Sequence, residues 1–254
     1  MADEQRRRRA LAELQPYIER ARRFSGWDFS ELKVRDLDPR PPWDYEALAR
    51  DYAGRAERVL DIGTGGGEVL SRIAAGLPGR FAATEEWHVN APVARDRLQP
   101  LGIDLLHSAS LRLPFRDEAF DLVLDRHEEL DPTDVARLLR PGGQVLTQQV
   151  GHEHLSELRR FFPRMTDFGD HYVAYSQGFE KAGLSVHGRK HSWKVAYATL
   201  GDLVFLLLVA PWTIPDFDPE REIDALLAVE DAYRSDQGIV LEEHRYLMVA
   251  ERAG

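Results

Sequence analysis

The residues best suited to chemistry begin in one short loop. Asp61, Gly63, Gly65 and Gly67 alternate through Asp61-Ile62-Gly63-Thr64-Gly65-Gly66-Gly67-Glu68. Val59, Leu60 and Ile62 read as a buried strand, and Val69, Leu70, Ile73 and Leu77 follow at helical spacing. Such a strand, turn and helix make a floor for a nucleotide-like ligand. The glycines remove side chains where a ligand must touch backbone, and the helix start presents unpaired N–H groups. The dinucleotide pattern G-x-G-x-x-G fails, because its last position falls on Glu68. No G-x-x-x-x-G-K-S/T phosphate loop occurs either. Further on, Arg80 to Glu85 reads as a second strand ending in Thr84-Glu85-Glu86-Trp87. A carboxylate there accepts from both hydroxyls of a ribose diol. Its distance from the glycine loop is close to the expected ~20 residues. Glu85 fits best, Glu86 is the alternative, and Trp87 either stacks beside the ligand or packs in the core. A third group, Asp125-Arg126-His127-Glu128, ends the apolar run from Phe120.

These motifs together resemble the class I S-adenosylmethionine-dependent methyltransferases. Asp61 to Gly67 is similar to their first motif, D-x-G-x-G-x-G. Ser108-Ala109-Ser110-Leu111-Arg112-Leu113-Pro114-Phe115 resembles the family stretch D-A-x-x-L-P-F, with Ser108 where the family usually has Asp. Phe120-Asp121-Leu122-Val123 resembles F-D-x-V, and Leu139-Arg140-Pro141-Gly142-Gly143 the L-x-P-G-G turn. Within the class the chain looks like the type-11 methyltransferase-domain proteins. It also resembles a group of bacterial small-molecule-type members. The resemblance implies an α/β fold with a Rossmann-like, mostly parallel seven-stranded sheet in the order 3-2-1-4-5-7-6, with helices on both faces. The cofactor implied is S-adenosylmethionine. Its site would comprise Asp61, Gly63, Thr64, Gly65, Gly67, Glu85, Glu86, Trp87, Ser108, Ala109 and Asp125. The reaction implied is in-line displacement of the sulfonium methyl group by an acceptor.

Residues at the carboxyl end of a central strand face the crevice of an open α/β sheet. Asp125, Arg126, His127 and Glu128 therefore stand closest to the acceptor. His127 is the first choice for a base, because imidazole titrates near 6.5. Asp125 or Glu128 would orient it. The alternative is that His127 caps the turn or packs beneath the site. His152 is a second candidate. Gln148 and Gln149 are adjacent on the next strand, so only one can face the site. Asp125 and Asp131 alone do not make a divalent-metal site.

The supporting elements follow from periodicity. Met1 to Phe24 reads as a helix with a stripe at Leu11, Leu14, Ile18 and Ala21. Gly26 to Asp44 reads as a loop rich in proline and aromatics, including Trp27, Phe29 and Trp43. Residues 1–44 thus form an N-terminal helix and loop, a candidate lid, and 45–254 the methyltransferase domain. Helices are expected over Tyr45–Gly54, Glu68–Leu77, Ala91–Leu101, Pro132–Leu139, His154–Phe162, His171–Lys181, Leu200–Val209 and Glu220–Arg234. The segment 200–236 lies between the last two strands, as a cap-like insertion or as padding of the sheet edge.

Composition narrows the partners. The 254 residues carry a net charge of -10 and no cysteine. Disulfides and thiolate zinc sites are excluded, as is methylation of pyrimidine carbon 5 through a cysteine nucleophile. The acidic balance argues against a general nucleic-acid binder. Arg6 to Arg9 and the cluster His187, Arg189, Lys190, His191 and Lys194 are the basic exceptions. No apolar run reaches the ~20 residues that span a bilayer, and no signal peptide is visible, which points to the cytoplasm. The expected function is methyl transfer to a small-molecule acceptor. The alternatives are an RNA or protein methyltransferase and a non-catalytic S-adenosylmethionine-binding module.

Overall fold

The computed structural model describes residues 2–24, 29 and 32–254. Its centre is a sheet built from alternating strands and helices. These are β2 (Arg58–Ile62), α3 (Glu68–Ala74), β3 (Arg80–Glu85), α4 (Asn90–Leu98), β4 (Asp104–His107), β5 (Phe120–Arg126), α5 (Pro132–Leu138), β6 (Leu139–Val150), α6 (His171–Lys181), β7 (Leu184–Tyr197) and β9 (Gly238–Arg252). Before them come α1 (Ala2–Ala21), β1 (Val34–Asp36) and α2 (Tyr45–Ala53). Between β7 and β9 lie α7 (Leu200–Val209), α8 (Ile223–Tyr233) and β8 (Arg234–Ser235).

The strand order is β1-β7-β9-β6-β5-β2-β3-β4, with β8 on β9. Leaving out β1 and β8, the remaining seven follow the expected order 3-2-1-4-5-7-6. β9 runs antiparallel to both of its long neighbours, and the β5–β2–β3–β4 and β5–β6 ladders are parallel. The sheet therefore has nine strands where seven were expected. β1 lies in the stretch read as a loop. Three residues carry no usable periodicity, and the pairing of Val34 to Asp36 with Tyr197 to Val195 is supplied by β7.

Both faces of the parallel part are covered, which is why its strands read as continuous apolar runs. Leu60, Ile62 and Val123 pack towards α5 and α6 with Val135, Leu138 and Phe179. Val59, Leu122 and Leu124 pack on the other face with Ala49, Leu70 and Ala94 from α2, α3 and α4. Side chains alternate across a strand, so a single run feeds two cores.

β7 and β9 outrun the rest of the sheet. β6 pairs only with Arg245 to Glu251 of β9, while Gly238 to His244 pairs with β7 alone among the long strands. This ribbon, flanked at its far end by β1 and β8, continues roughly 20 Å past the carboxyl end of β6. A third core sits on it, joining Leu14 and Ile18 of α1, Leu203, Val204 and Leu207 of α7, Leu226 and Val229 of α8, and Trp193, Tyr197 and Leu241 of the ribbon. The expected helix over 154–162 is reduced to one 3-10 turn at Ser156–Arg160. Leu155 adopts φ 50° and donates its N–H to Glu242 O, so the helix cannot extend backwards. Pro163 follows directly.

The arginine run on α1 is neutralised locally. Arg6 pairs with Asp231, Arg7 with Asp224, Arg8 with Glu4 and Arg9 with Glu13. Among the described residues no helix is long and apolar enough to cross a membrane.

Candidate cofactor and acceptor site

The glycine loop after β2 takes a path closed to other residues. Gly63, Gly65 and Gly67 have φ of 61°, 62° and 76°, in the left-handed region. Its backbone is tied to β3, where Thr64 N–H donates to Thr84 O at 2.9 Å. Gly65 N–H donates to Glu85 Oε2 at 2.6 Å, and Trp87 N–H to Glu85 Oε1 at 2.8 Å. Glu85 is buried. Burial raises its pKa, opposed by those two N–H groups. A carboxylate has about four acceptor positions, so two remain for a ligand. Glu68 is folded back over Gly66 and pairs with Arg97 at 2.6 Å. Its charge is thereby removed from the crevice.

Asp61 ends β2 in a buried position, and burial pushes its pKa up to about 7 against the favourable Thr64 hydroxyl. Glu128 lies directly over Gly63, so that a Cβ at Gly63 would run into its Cγ. Burial, opposed by Ser110 and reinforced by Glu85 and Glu86, pushes Glu128 up to about 7. Glu86 is exposed, and its Oε2 accepts weakly from Ser110 N–H at 3.4 Å. Ser108 is half-buried, with its hydroxyl on Ala109 O at 3.3 Å, and Ala109 is exposed. Trp87 meets Trp212 edge to face, with ring centres 6.3 Å apart.

Asp125 is fully buried. Its Oδ2 accepts from the Thr147 hydroxyl at 2.7 Å and from Gln149 Nε2 at 2.5 Å, and its Oδ1 from Glu128 N–H at 3.2 Å. Gln149 also donates to Glu128 O at 2.6 Å. Burial drives the Asp125 pKa well up, against the Thr147 hydroxyl. Asp125 therefore clips β5 to β6 and sets the backbone of Glu128. Gln148, on the opposite face of β6, accepts from Trp43 Nε1 at 2.8 Å and meets His127 Nε2 at 3.2 Å.

His127 has φ 69° and donates its backbone N–H to Gln148 O at 2.9 Å. The residue is exposed at the carboxyl end of β5. The protein around it, then Arg245, Arg126 and His154, hold its pKa well below 6.5. The base expected at His127 is thus a neutral imidazole with one ring nitrogen engaged. His152 is exposed beside Asp167, at 3.5 Å.

Sequence reasoning missed several residues around His127. Arg245 pairs with Glu243 at 2.7 Å and donates to His154 Nδ1 at 3.2 Å. Arg126 stands over the Tyr45 ring, which α2 holds in place through the Asp44 cap. The signal for Arg245 was a charge on the face of β9 shared with Leu247, where an apolar residue belongs. Trp43 was read only as a lid aromatic, and Trp27 lies outside the described residues. Among the described residues no three His, Cys, Asp or Glu side chains gather to hold a metal.

The donor set fits S-adenosylmethionine. A cradle without side chains faces a half-satisfied buried carboxylate. Burial raises the pKa values of Asp61, Glu85 and Glu128, with Arg126 partly offsetting it at Asp61. The sulfonium and ammonium of this cofactor would supply positive charge to these acids. The fold and this loop are similar to those of the class I S-adenosylmethionine-dependent methyltransferases.

Comparison with known proteins agrees. Residues 59–148 match the family model described as "Methyltransferase domain". The 23S rRNA (guanine(748)-N(1))-methyltransferase of Streptomyces fradiae is 29% identical over 42% of this chain and 38% of its own length. The demethylmenaquinone methyltransferase of Roseiflexus castenholzii is 29% identical over 56% of this chain and 64% of its own. The chain thus spans less than two thirds of either curated relative. The YcgJ protein of Bacillus subtilis shares the fold, with TM-score 0.61 and 18% identity over 83% of this chain and 98% of that one.

Proposed function

We propose that this chain transfers a methyl group from S-adenosylmethionine to a small-molecule acceptor. The observation that carries this reading is the reach of the 200–236 insertion. Rooted on the β7–β9 ribbon, it brings Trp212 against Trp87, beside the carboxylate Glu85. We read it as a cap over the crevice, with residues 1–44 contributing a lid through Trp43. Pairing of every arginine in the Arg6–Arg9 run with an acid leaves no free basic stripe there for RNA. The demethylmenaquinone methyltransferase relative supports a small acceptor. The ribosomal RNA relative is the reason to test RNA directly.

When bound, the cofactor supplies an activated methyl on a sulfonium. The glycine loop and Glu85 hold the donor, with Glu86, Trp87, Ser108 and Ala109 along the ribose and adenine side. Asp61 and Glu128 balance its positive charge. Glu128, near 7, is also poised to take a proton from the acceptor where one must leave. Asp125 fixes the backbone of Glu128, and exposed His127 would meet the acceptor beside it.

Isotope-labelled methyl donor, incubated with the full chain and either a small-molecule extract or total RNA, tests the acceptor class. Label is expected in the small-molecule fraction. Label appearing only in RNA ends this reading.

The pH dependence is also fixed in sign. Asp61 and Glu128 rise from 3.8 and 4.5 to about 7 in the fold. The folded chain then holds protons that the unfolded chain releases, so stability without cofactor falls as pH climbs from about 4 to 7. A cationic ligand favours the ionised acids. Its affinity should rise through the same window, by up to ~10-fold per pH unit for each proton released. Calorimetric titration at pH 6 and pH 8 measures this, and equal affinities would remove both acids from the cofactor site.

A further inference from the structure

The contacts of Trp43, Gln148 and His127 settle a question of direction. An indole N–H can only donate. Trp43 Nε1 lies 2.8 Å from Gln148 Oε1, so the amide must turn its oxygen towards Trp43. That leaves Gln148 Nε2, a donor, against His127 Nε2 at 3.2 Å. His127 Nε2 must then accept, and in a neutral imidazole the proton sits on Nδ1. No described residue takes a hydrogen bond from that Nδ1–H, and the residue is exposed.

We propose that Trp43 and Gln148 are positioning residues that lock His127 as the Nδ1–H tautomer, so that it donates a hydrogen bond to a carbonyl or ionised oxygen of the methyl acceptor.

Two independent features fit. His127 sits at φ 69° with its N–H on Gln148 O at 2.9 Å, so backbone and side chain are pinned to the same residue. Unusual backbone conformations of this kind cluster at functional sites. The charges around the ring also favour an electron-rich oxygen. Desolvation by the surrounding protein, then the nearby Arg245 and Arg126, depresses protonation of the imidazole. Glu243, the acid in this group, is taken up by Arg245 at 2.7 Å. The acceptor class is therefore a small molecule with an oxygen that is already ionised or carbonyl-like at this point, such as a phenolate, an enolate or a conjugated ketone. This class rests on the small-molecule reading above, whereas the tautomer does not.

The test is long-range proton–nitrogen correlation spectroscopy of the histidine rings in the full chain at pH 7.5, assigned with His127→Gln. Wild type should show His127 protonated at Nδ1 and bare at Nε2. Gln148→Glu offers a carboxylate oxygen to Nε2 and should place a proton there. Trp43→Phe keeps the aromatic face against His191 and Arg189. It frees the amide to turn, and should mix the two tautomers. With an acceptor in hand, Trp43→Phe should raise the acceptor KM about tenfold while cofactor affinity stays within twofold. A wild-type His127 protonated at Nε2 overturns the proposal whatever the enzyme methylates. Label found only in RNA overturns the small-molecule class and leaves the tautomer standing. Should Gln148→Glu fail to fold, the wild-type and Trp43→Phe spectra still decide.

Discussion

Glu85→Ala is expected to weaken S-adenosylmethionine binding by at least ~100-fold. Two acceptor positions of the carboxylate already serve Gly65 N–H and Trp87 N–H, at 2.6 and 2.8 Å. The two that remain match the paired hydroxyls of a ribose. Hydrogen bonds to a charged group contribute about 1.5–3 kcal/mol each, so losing two costs roughly 3–6 kcal/mol of binding. The substitution also removes the Gly65 tie between the glycine loop and β3, leaving Thr64 N–H on Thr84 O, which adds an ordering cost to every binding event. Glu85→Gln separates these effects. It keeps the length of the side chain but turns an NH2 group towards one of the two backbone donors. It should therefore weaken binding almost as much, whereas a purely steric role would leave Gln near wild type. Titration calorimetry reads the affinities directly. If Glu85→Ala binds within threefold of wild type, the ribose assignment fails.

That prediction rests on a feature readable from residue order. Strand, glycines and helix are contiguous, and the second strand lies one crossover away. The backbone thus fixes where Glu85 ends up before any packing is known. The same holds for the sheet order, because each parallel strand is followed by its own helix. Other parts of the site had no such guide. Trp43, His154 and Arg245 come from three separate segments, and residue order alone did not choose between Gln148 and Gln149. They come together only in the fold, at the carboxyl ends of β5 and β6 and beside β9. The role of Asp125 was hidden for a related reason. It reads as a crevice-facing acid, yet the register that sets Asp125 beside Thr147 turns it into the buried link between two strands. His127 combines both cases. Its position after β5 was plain, but the state of its ring depends on Gln148 across that register and on an indole 105 residues from Gln148 in the chain.

Asp125→Ala is expected to be among the most destabilising single changes in the chain. Three donors converge on a fully buried carboxylate: the Thr147 hydroxyl, the Gln149 amide and Glu128 N–H. Gln149 retains Glu128 O and the Thr147 hydroxyl oxygen as partners, but the Thr147 O–H and Glu128 N–H donors lose their acceptor. Each buried group so stranded costs about 1–3 kcal/mol, and the vacated volume adds to it. A loss of roughly 3–5 kcal/mol lowers the melting temperature by about 10 °C in a domain of this size. Asp125→Asn preserves the shape and one oxygen for Thr147 and Gln149, and sets its NH2 against Glu128 N–H. Only one of the three contacts is lost, so the loss should be only about 1–2 kcal/mol. The donor clash nevertheless moves Glu128, the group lying over Gly63. Turnover should therefore fall further than stability in Asp125→Asn. Differential scanning calorimetry together with single-turnover methyl transfer separates the two quantities. An Asp125→Ala protein that melts within two degrees of wild type would mean that this acid does not tie β5 to β6, and the geometry derived for Glu128 would fall with it.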